Sequence, residues 1–144
     1  MGFAEIGGAV ARHARRAVIK CALDLEAHAK TEIQTGAKSG KTYKRTTDAG
    51  NTIEHRASAP GEAPATDFGV LVGSISTVPS ADPTEAEARV IVTAEYGAAL
   101  ELGREDGSIA ARPYIRPAAD RIEKTFARVI GQAVAAGARE GAAQ

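Results

Sequence analysis

Histidine and cysteine, two common ligands of zinc, are few in this 144-residue chain and widely spaced. The three histidines, His13, His28 and His55, have no second histidine or cysteine at helical spacing, and Cys21 is the only cysteine. A metal centre needs several such ligands at short, regular spacing. The sequence therefore predicts no metal site and no disulfide within the chain, which makes a cytosolic folding compartment the default.

The residues that could act as nucleophiles or general bases form no recognisable catalytic motif. Neither Ser58 nor Ser74 lies in the G-x-S-x-G turn that exposes a nucleophilic serine. His55 is close in sequence to Glu54 and Glu62, which could pair with it in proton transfer or could simply be surface neighbours. We expect no catalytic residues and no bound cofactor, and hence a protein that is not an enzyme.

One segment is similar to a phosphate-binding loop. Beginning at Gly36 it reads GAKSGKT and ends in the G-K-T of a P-loop. It is one residue shorter between the glycines than the P-loop requires, and it follows a predicted helix instead of a buried strand. The match therefore indicates no nucleotide site.

Charge is balanced over the whole chain but not along it. The 18 basic and 18 acidic residues give a formal net charge of zero, which provides no general attraction for nucleic acid or an anionic membrane. Residues 38–56 contain five bases and two acids, whereas residues 82–106 contain seven acids and two bases. This polarity suits head-to-tail contact between copies, although both regions could also be ordinary solvated surfaces.

Two amphipathic helices are predicted, one near each end of the chain. Apolar residues recur every three or four positions from Ile6 to Ala29, which predicts a helix that starts near Phe3 and stops at Gly36. The second helix is expected to begin with Pro117, a residue suited to a first turn. Residues 138–144 have little to bury and are expected to fray. The predicted buried stripe of this helix is Ile122, Phe126, Val129, Ala133 and Gly137.

Short strands are predicted between these helices. A hairpin of residues 41–47 and 52–57 is favoured by β-branched and aromatic residues around an Asp-Ala-Gly-Asn turn. Residues 74–78 and 86–93 form a second predicted pair. A short helix from Tyr96 to Leu102 follows and should end at Gly103.

A proline-rich segment separates the two strand pairs. Pro60, Gly61 and Pro64 exclude regular helix and central strand. Asp67 is then expected to cap a short helical turn in which Leu71 is apolar. Because a long loop in a small domain is usually functional or covered, we expect residues 36–66 to project as a hairpin and arm that contact another molecule.

The predicted fold class is α+β. The amino-terminal and carboxy-terminal helices are expected to pack on a small antiparallel sheet within a single domain, residues 1–144. The chain has no apolar run long enough for a secretory signal or a membrane span, so no membrane partner is expected.

Three segments together resemble a known family: ASAPGEAPATDFGVLVGSI, AEYGAALELG and ARPYIRPA. In order and spacing they are similar to the tail-component proteins of long-tailed bacteriophages, the tail-completion or head–tail joining family of the minor-tail-protein-Z-like kind. Gly97 stands where this family usually has alanine, which should loosen the short helix by up to about 1 kcal/mol. The matching positions are Gly69, Leu71, Ser74, Tyr96, Glu101, Leu102, Gly103, Arg112, Pro113, Tyr114, Pro117 and Ala118.

The resemblance implies a structural virion protein that is assembled in the host cytoplasm. It would form a homo-oligomeric ring of sixfold symmetry in the neck, joining the tail terminator and tail tube to the head-connector or stopper protein. DNA would pass through the lumen without specific binding. One alternative is a tail-terminator or head-connector ring. Another, from a different class, is a nucleic-acid binder that uses Arg12, Arg15, Arg16 and Lys20 together with residues 38–45.

The hairpin, the arm and the acidic region supply the predicted contact residues. Arg112 is expected either to pair with Glu101 or Glu95 inside one subunit or to reach a neighbour. Tyr96 and Tyr114 are expected in the core. The full set of predicted contact residues is Lys41, Tyr43, Lys44, Arg45, His55, Arg56, Pro60, Glu62, Pro64, Glu95, Glu101, Arg104 and Arg112.

Overall fold

The structure, a computed structural model, describes residues 2–65 and 69–143, and over these residues it has the predicted α+β fold. Two long helices lie at the ends of the described chain, and short strands pair in two-stranded sheets between them. The elements are α1 (Phe3–Thr35), β1 (Thr42–Thr46), β2 (Thr52–Arg56), α2 (Val70–Gly73), β3 (Ile75–Pro79), β4 (Ala88–Val92), α3 (Gly97–Leu102) and α4 (Ile115–Ala142).

The chain divides into two compact units. The first, here called the terminal unit, comprises Met1–Glu26, Ser76–Ile91 and Ala119–Gln144. The second, here called the hairpin unit, comprises Ala27–Ile75 and Val92–Ala118.

In the terminal unit, the end of α4 packs against the start of α1 through glycines. A Cβ atom added to Gly137 would lie 2.6 Å from the Cα of Val10, and one added to Gly141 would lie 2.5 Å from the Cα of Ile6. Real Cβ atoms do not approach backbone this closely, so only glycine permits the contact. For residues 138–142 the prediction of a frayed tail is therefore wrong, since α4 remains helical to Ala142.

Charged side chains hold the same end of α4. Glu140 accepts hydrogen bonds from Arg12 Nη2 at 2.8 Å and from His13 Nε2 at 2.7 Å. The bond from His13, followed by that from Arg12, lowers the pKa of the Glu140 carboxyl. Glycine contact and ion pairing thus anchor a segment that has almost no large apolar side chains.

The predicted stripe of α4 is confirmed except at one residue. Ile122, Val129 and Ala133 are half-buried and Gly137 is buried, but Phe126 is 41% exposed. The helix also begins at Ile115, two residues before Pro117, so proline occupies its third position. Proline is tolerated there because the amides of the first turn have no partner within the helix.

The predicted β3 and β4 strands are present, and β4 alternates as expected. Ala88, Val90 and Val92 are half-buried, whereas the residues between them are exposed. Within the terminal unit, Arg15 from α1 holds the connection between these strands. Its guanidinium donates to the carbonyls of Ser80, Asp82 and Glu85 at 2.9, 2.8 and 2.6 Å.

In the hairpin unit, β1 and β2 pair as an antiparallel hairpin. Tyr43 lies opposite His55, and Arg45 lies opposite Ile53. The turn closes with the Thr47 amide donating to the Asn51 carbonyl at 2.8 Å. Gly50 has a φ of 81°, a left-handed conformation that favours glycine. The predicted hairpin and its turn are thus confirmed.

The proline-rich arm, described as far as Ala65, packs against other residues of the hairpin unit. Of the predicted hairpin and arm, the hairpin is therefore the more exposed part. Pro64 is buried, and the Gly61 amide donates to the Ala111 carbonyl at 2.9 Å. Glu62 accepts hydrogen bonds from the Ser39 amide at 2.9 Å, from the Ser39 hydroxyl and from the Ala59 amide at 2.8 Å.

Helix α2 follows the arm. Its N-cap is Gly69 with a φ of 74°, Leu71 is buried, and the Ser74 hydroxyl donates to the Leu71 carbonyl at 2.7 Å. The predicted capping residue, Asp67, lies outside the described residues.

The largest fully buried side chains of the described residues belong to the hairpin unit. Tyr114, Ile33 and Ile75 are each at most 1% exposed. The prediction for Tyr114 is confirmed, whereas that for Tyr96 is wrong, since Tyr96 is 45% exposed. Over the described ranges, no helix combines the length and the apolar character needed to cross a membrane.

Candidate functional site

Two of the three segments that resemble the tail-component family, residues 94–103 and 111–118, meet at the corner between α3 and α4. We call the three segments, the first of which is residues 57–75, the family-like segments. Glu101, near the end of α3, points its carboxylate at the first turn of α4. Its Oε2 accepts the amides of Tyr114 and Ile115 at 2.7 and 2.9 Å, and its Oε1 accepts the amide of Arg116 at 2.9 Å. One side chain therefore caps a helix that begins 14 residues later in the sequence.

Pro117 completes this cap. The first four amides of a helix have no intrahelical acceptor. The amides of Tyr114, just before α4, and of Ile115 and Arg116, its first two residues, donate to Glu101, and the next residue, Pro117, has no amide hydrogen. The carboxylate also lies at the positive end of the helix dipole, an arrangement that stabilises the start of the helix.

Tyr114 fixes the corner from the buried side. Its hydroxyl donates to the Gly97 carbonyl at 3.2 Å, and burial, followed by the nearby Glu101 charge, raises its pKa to about 12. A Cβ atom on Gly97 would lie 2.7 Å from Val92 Cγ1 and 3.0 Å from the Tyr114 hydroxyl. Close packing therefore favours glycine at this position, and the expected loosening of α3 remains a prediction.

Arg112 joins this corner to the arm. Its guanidinium donates to the carbonyls of Ala110 at 3.2 Å and Ser58 at 3.4 Å, and its amide donates to the Leu100 carbonyl at 2.6 Å. The predicted partner Glu101 is instead occupied by backbone amides, so the prediction of an Arg112–Glu101 pair is wrong. Arg112 and the Gly61–Ala111 hydrogen bond bring the first family-like segment to the other two.

Sequence reasoning missed the role of Glu101 because the helix start was placed at Pro117. The local capping pattern places its carboxylate inside the first turn, so a cap supplied by a residue 14 positions upstream leaves no such signal in the sequence. Gly103, with a φ of 75°, ends α3 as predicted and turns the chain directly after Glu101.

The hairpin presents two chemically different faces. Residues that lie directly opposite in an antiparallel pair share a face. One face, here called the Tyr43 face, carries Tyr43, Arg45, Ile53 and His55, and Lys41 extends it by two residues. Tyr43 is 55% exposed and Ile53 is 43% exposed, while Arg45 and His55 are half-buried.

The opposite face of the hairpin is polar throughout. It carries Lys44, which lies 3.8 Å from the exposed Glu54, together with Arg56 and three threonines. Because His55 and Glu54 are adjacent in one strand, they lie on opposite faces and form no acid–base pair. The other possible partner of His55, Glu62, accepts bonds from Ser39 and Ala59.

A second exposed surface of the hairpin unit surrounds α3. Leu102 is 78% exposed, and Ala98, one turn earlier, is also exposed. Beside Leu102 is an open hollow of about 270 Å³ that is also lined by Ala111, Pro113 and Arg116. We call this the α3 face. Exposed charged residues precede and follow the helix, namely Glu95, Arg104, Glu105 and Asp106.

The acidic run predicted to meet the basic hairpin does not belong to one unit. Asp82, Glu85 and Glu87 lie in the terminal unit, and the remainder lie in the hairpin unit. Asp82 accepts bonds from the Thr84 hydroxyl and amide, and these bonds lower the pKa of its carboxyl. Of this run, Glu95, Glu101, Glu105 and Asp106 lie in the same unit as the hairpin.

The bases of α1, which the nucleic-acid alternative requires, are largely engaged within the terminal unit. Arg12 pairs with Glu140, Arg15 binds three carbonyls, and Lys20 pairs with Asp24 at 2.7 Å. A phosphate backbone would have to compete with these contacts.

Within residues 2–65 and 69–143, no group of three or more histidine, cysteine or acidic side chains could hold a metal ion. Cys21 is buried, and burial raises the pKa of its thiol.

Comparison with known proteins gives no relative. No family model matches the chain, and neither a curated protein nor a solved structure does.

Proposed function

We propose that this chain is a structural subunit of the neck or tail of a long-tailed bacteriophage particle. In that role it forms a homo-oligomeric ring that joins the tail terminator and tube to the head connector. Support comes from the three family-like segments, which lie far apart in sequence yet meet through Glu101, Tyr114 and Arg112. Residues that match a family pattern and hold one corner together are expected where a shared fold constrains them.

The observation that carries the proposal is the hairpin. A lone two-stranded hairpin is only marginally stable in water. Both strands of this one consist mainly of exposed residues, and Tyr43 and Ile53 expose apolar surface beside basic side chains. Contact with a neighbouring molecule would bury this apolar surface and order the hairpin.

Particle composition tests the proposal directly. The gene would be expressed with its genomic neighbours, and the resulting particles would be purified, imaged and analysed by mass spectrometry. We expect the chain in the particles at a fixed stoichiometry, in a ring at the neck or tail end. Complete particles that lack the chain would contradict the proposal.

A further inference from the structure

We propose that the contact closing this ring is made by the Tyr43 face of one copy seated on the α3 face of the next. This inference rests on the proposed function, because it specifies which surfaces the assembled copies use. The occupant of the α3 face is thus a second copy of this chain.

The hairpin side of the contact is apolar at its centre and basic around it. Tyr43 and Ile53 each keep about half of their surface in water. Lys41 and Arg45 share their face, and no acid lies among its strand positions. Aromatic and basic residues together are typical of interface anchors.

The α3 side has the complementary character. Leu102 and Ala98 are exposed, and the hollow beside Leu102 is large enough for part of an aromatic ring. Glu95 precedes the helix, Glu105 and Asp106 follow it, and Glu101 lines the hollow, which gives four acids against the two bases Arg104 and Arg116. A basic apolar surface and an acidic apolar surface attract one another and fix their orientation.

One copy cannot make this contact with itself. Leu102 and Tyr43 belong to the same unit and both remain exposed there. The contact therefore joins different copies, and because its two sides differ, each copy offers one free side to the next. Repetition of such a heterologous contact closes into a ring when the rotation permits.

Site-directed disulfides test the pairing. In a Cys21→Ala background, which removes the native thiol, one variant carries Tyr43→Cys and a second carries Leu102→Cys. Each variant by itself should form no disulfide, whereas their mixture should form a crosslinked dimer under mild oxidation. A chain that carries both substitutions should give a ladder of crosslinked oligomers up to the closed ring.

A matched control pairs Tyr43→Cys with Val134→Cys, an exposed position on α4 that is 39% accessible. This pair should remain uncrosslinked. Leu102→Asp, with helicity checked by circular dichroism, should raise the Kd of assembly about a hundredfold, the scale of an interface hot spot.

The outcomes separate this inference from the proposed function. Rings without the Tyr43–Leu102 crosslink, or rings unaffected by Leu102→Asp, would overturn the pairing and leave the proposed ring in place. Particles that lack the chain would overturn the function, and a crosslink formed by the purified chain would still support the pairing.

Discussion

The end of α4 and the β1–β2 hairpin are both poor in large apolar residues, yet the first is packed within its unit and the second is exposed. The end of α4 packs on α1 through Gly137 and Gly141, and its Glu140 pairs with α1. The hairpin remains open to water over most of both faces.

The difference shows that a segment poor in apolar side chains can still pack within its own unit when a complementary surface is present there. Without such a surface, the segment remains exposed to water. Glycines let two helix backbones approach, so dispersion contacts replace large side chains at the end of α4. Tyr43 and Ile53 are larger, yet they have no such surface within the hairpin unit. Their exposure is consistent with a partner outside the chain.

Adding a methyl group at Gly137 should break the first half of this comparison. Gly137→Ala places a Cβ atom against the Val10 backbone, and overpacking of this kind costs about 2 kcal/mol in the free energy of unfolding. The control is Gly131→Ala in the same helix, which meets nothing within 4 Å and should stabilise by about 0.5–1 kcal/mol. Denaturant unfolding of both variants measures the difference, and equal effects would show that the glycine contact is unimportant.

Removing the carboxylate at Glu101 should loosen the other end of α4. Glu101→Ala leaves three amides at the start of the helix without their acceptor, and we expect a loss of about 2 kcal/mol in unfolding free energy, as for a strong N-cap. Glu105→Ala removes an exposed acid nearby and should stay within about 0.5 kcal/mol of the native chain. If urea unfolding gives the two variants the same free energy of unfolding, Glu101 does not cap the helix.

The buried hydroxyl of Tyr114 should contribute less. Tyr114→Phe deletes its bond to Gly97 and should cost about 1 kcal/mol. Burial raises the pKa of Tyr114 from 10 to about 12, so as pH rises the tyrosine ionises in the unfolded chain before it ionises in the folded chain. The contribution of the neutral, buried tyrosine to the free energy of unfolding is therefore complete below pH 10 and is lost as pH rises towards 12. Thermal melts across that range should fall less steeply for the phenylalanine variant, and parallel curves would refute this assignment.

Acid should release the hydrogen bonds that Glu62 makes at the base of the hairpin. Hydrogen bonds, above all from the Ser39 hydroxyl, lower the pKa of Glu62 from 4.5 to about 2. A depressed carboxyl pKa stabilises the fold fully above 4.5, and this stabilisation is lost as pH falls towards 2. Amide NMR signals of Ser39 and Ala59 should shift over that window, and Glu62→Gln should abolish the shift. Signals that titrate only near 4.5 would contradict the depressed pKa.

The features that depend on local sequence were predicted correctly from the periodicity of apolar residues and the positions of glycines. The bounds of α1, the β1–β2 hairpin with its turn at Gly50 and the end of α3 at Gly103 all follow from apolar spacing and glycine positions. The start of α4 was misplaced because its cap comes from Glu101, which is distant in sequence.

Long-range approach was not predictable from spacing. Gly137 was predicted as part of the buried stripe and Gly141 as part of a tail that frays. Their close contacts with the α1 backbone, and the contact of Gly97 with Val92 and Tyr114, depend on the tertiary structure. Of the predicted contact residues, the hairpin bases Lys41, Lys44 and Arg56 are exposed, and their contact with a neighbour remains a prediction. Pro64 and Arg112 instead make contacts within the hairpin unit. Pro64 is buried there, and Arg112 donates to the Ser58 carbonyl in the arm.

The hairpin's role in assembly is the central claim, and a mass measurement tests it most directly. Lys41 and Ala57 already lie opposite one another, since the Ala57 amide donates to the Lys41 carbonyl at 3.0 Å. Residues 42–56 can therefore be replaced by an Asn-Gly turn with little disturbance at the base. Light scattering should give a ring mass for the full chain and a folded monomer for the shortened one. A shortened chain that still forms the ring, or a full chain that stays monomeric, would contradict the account.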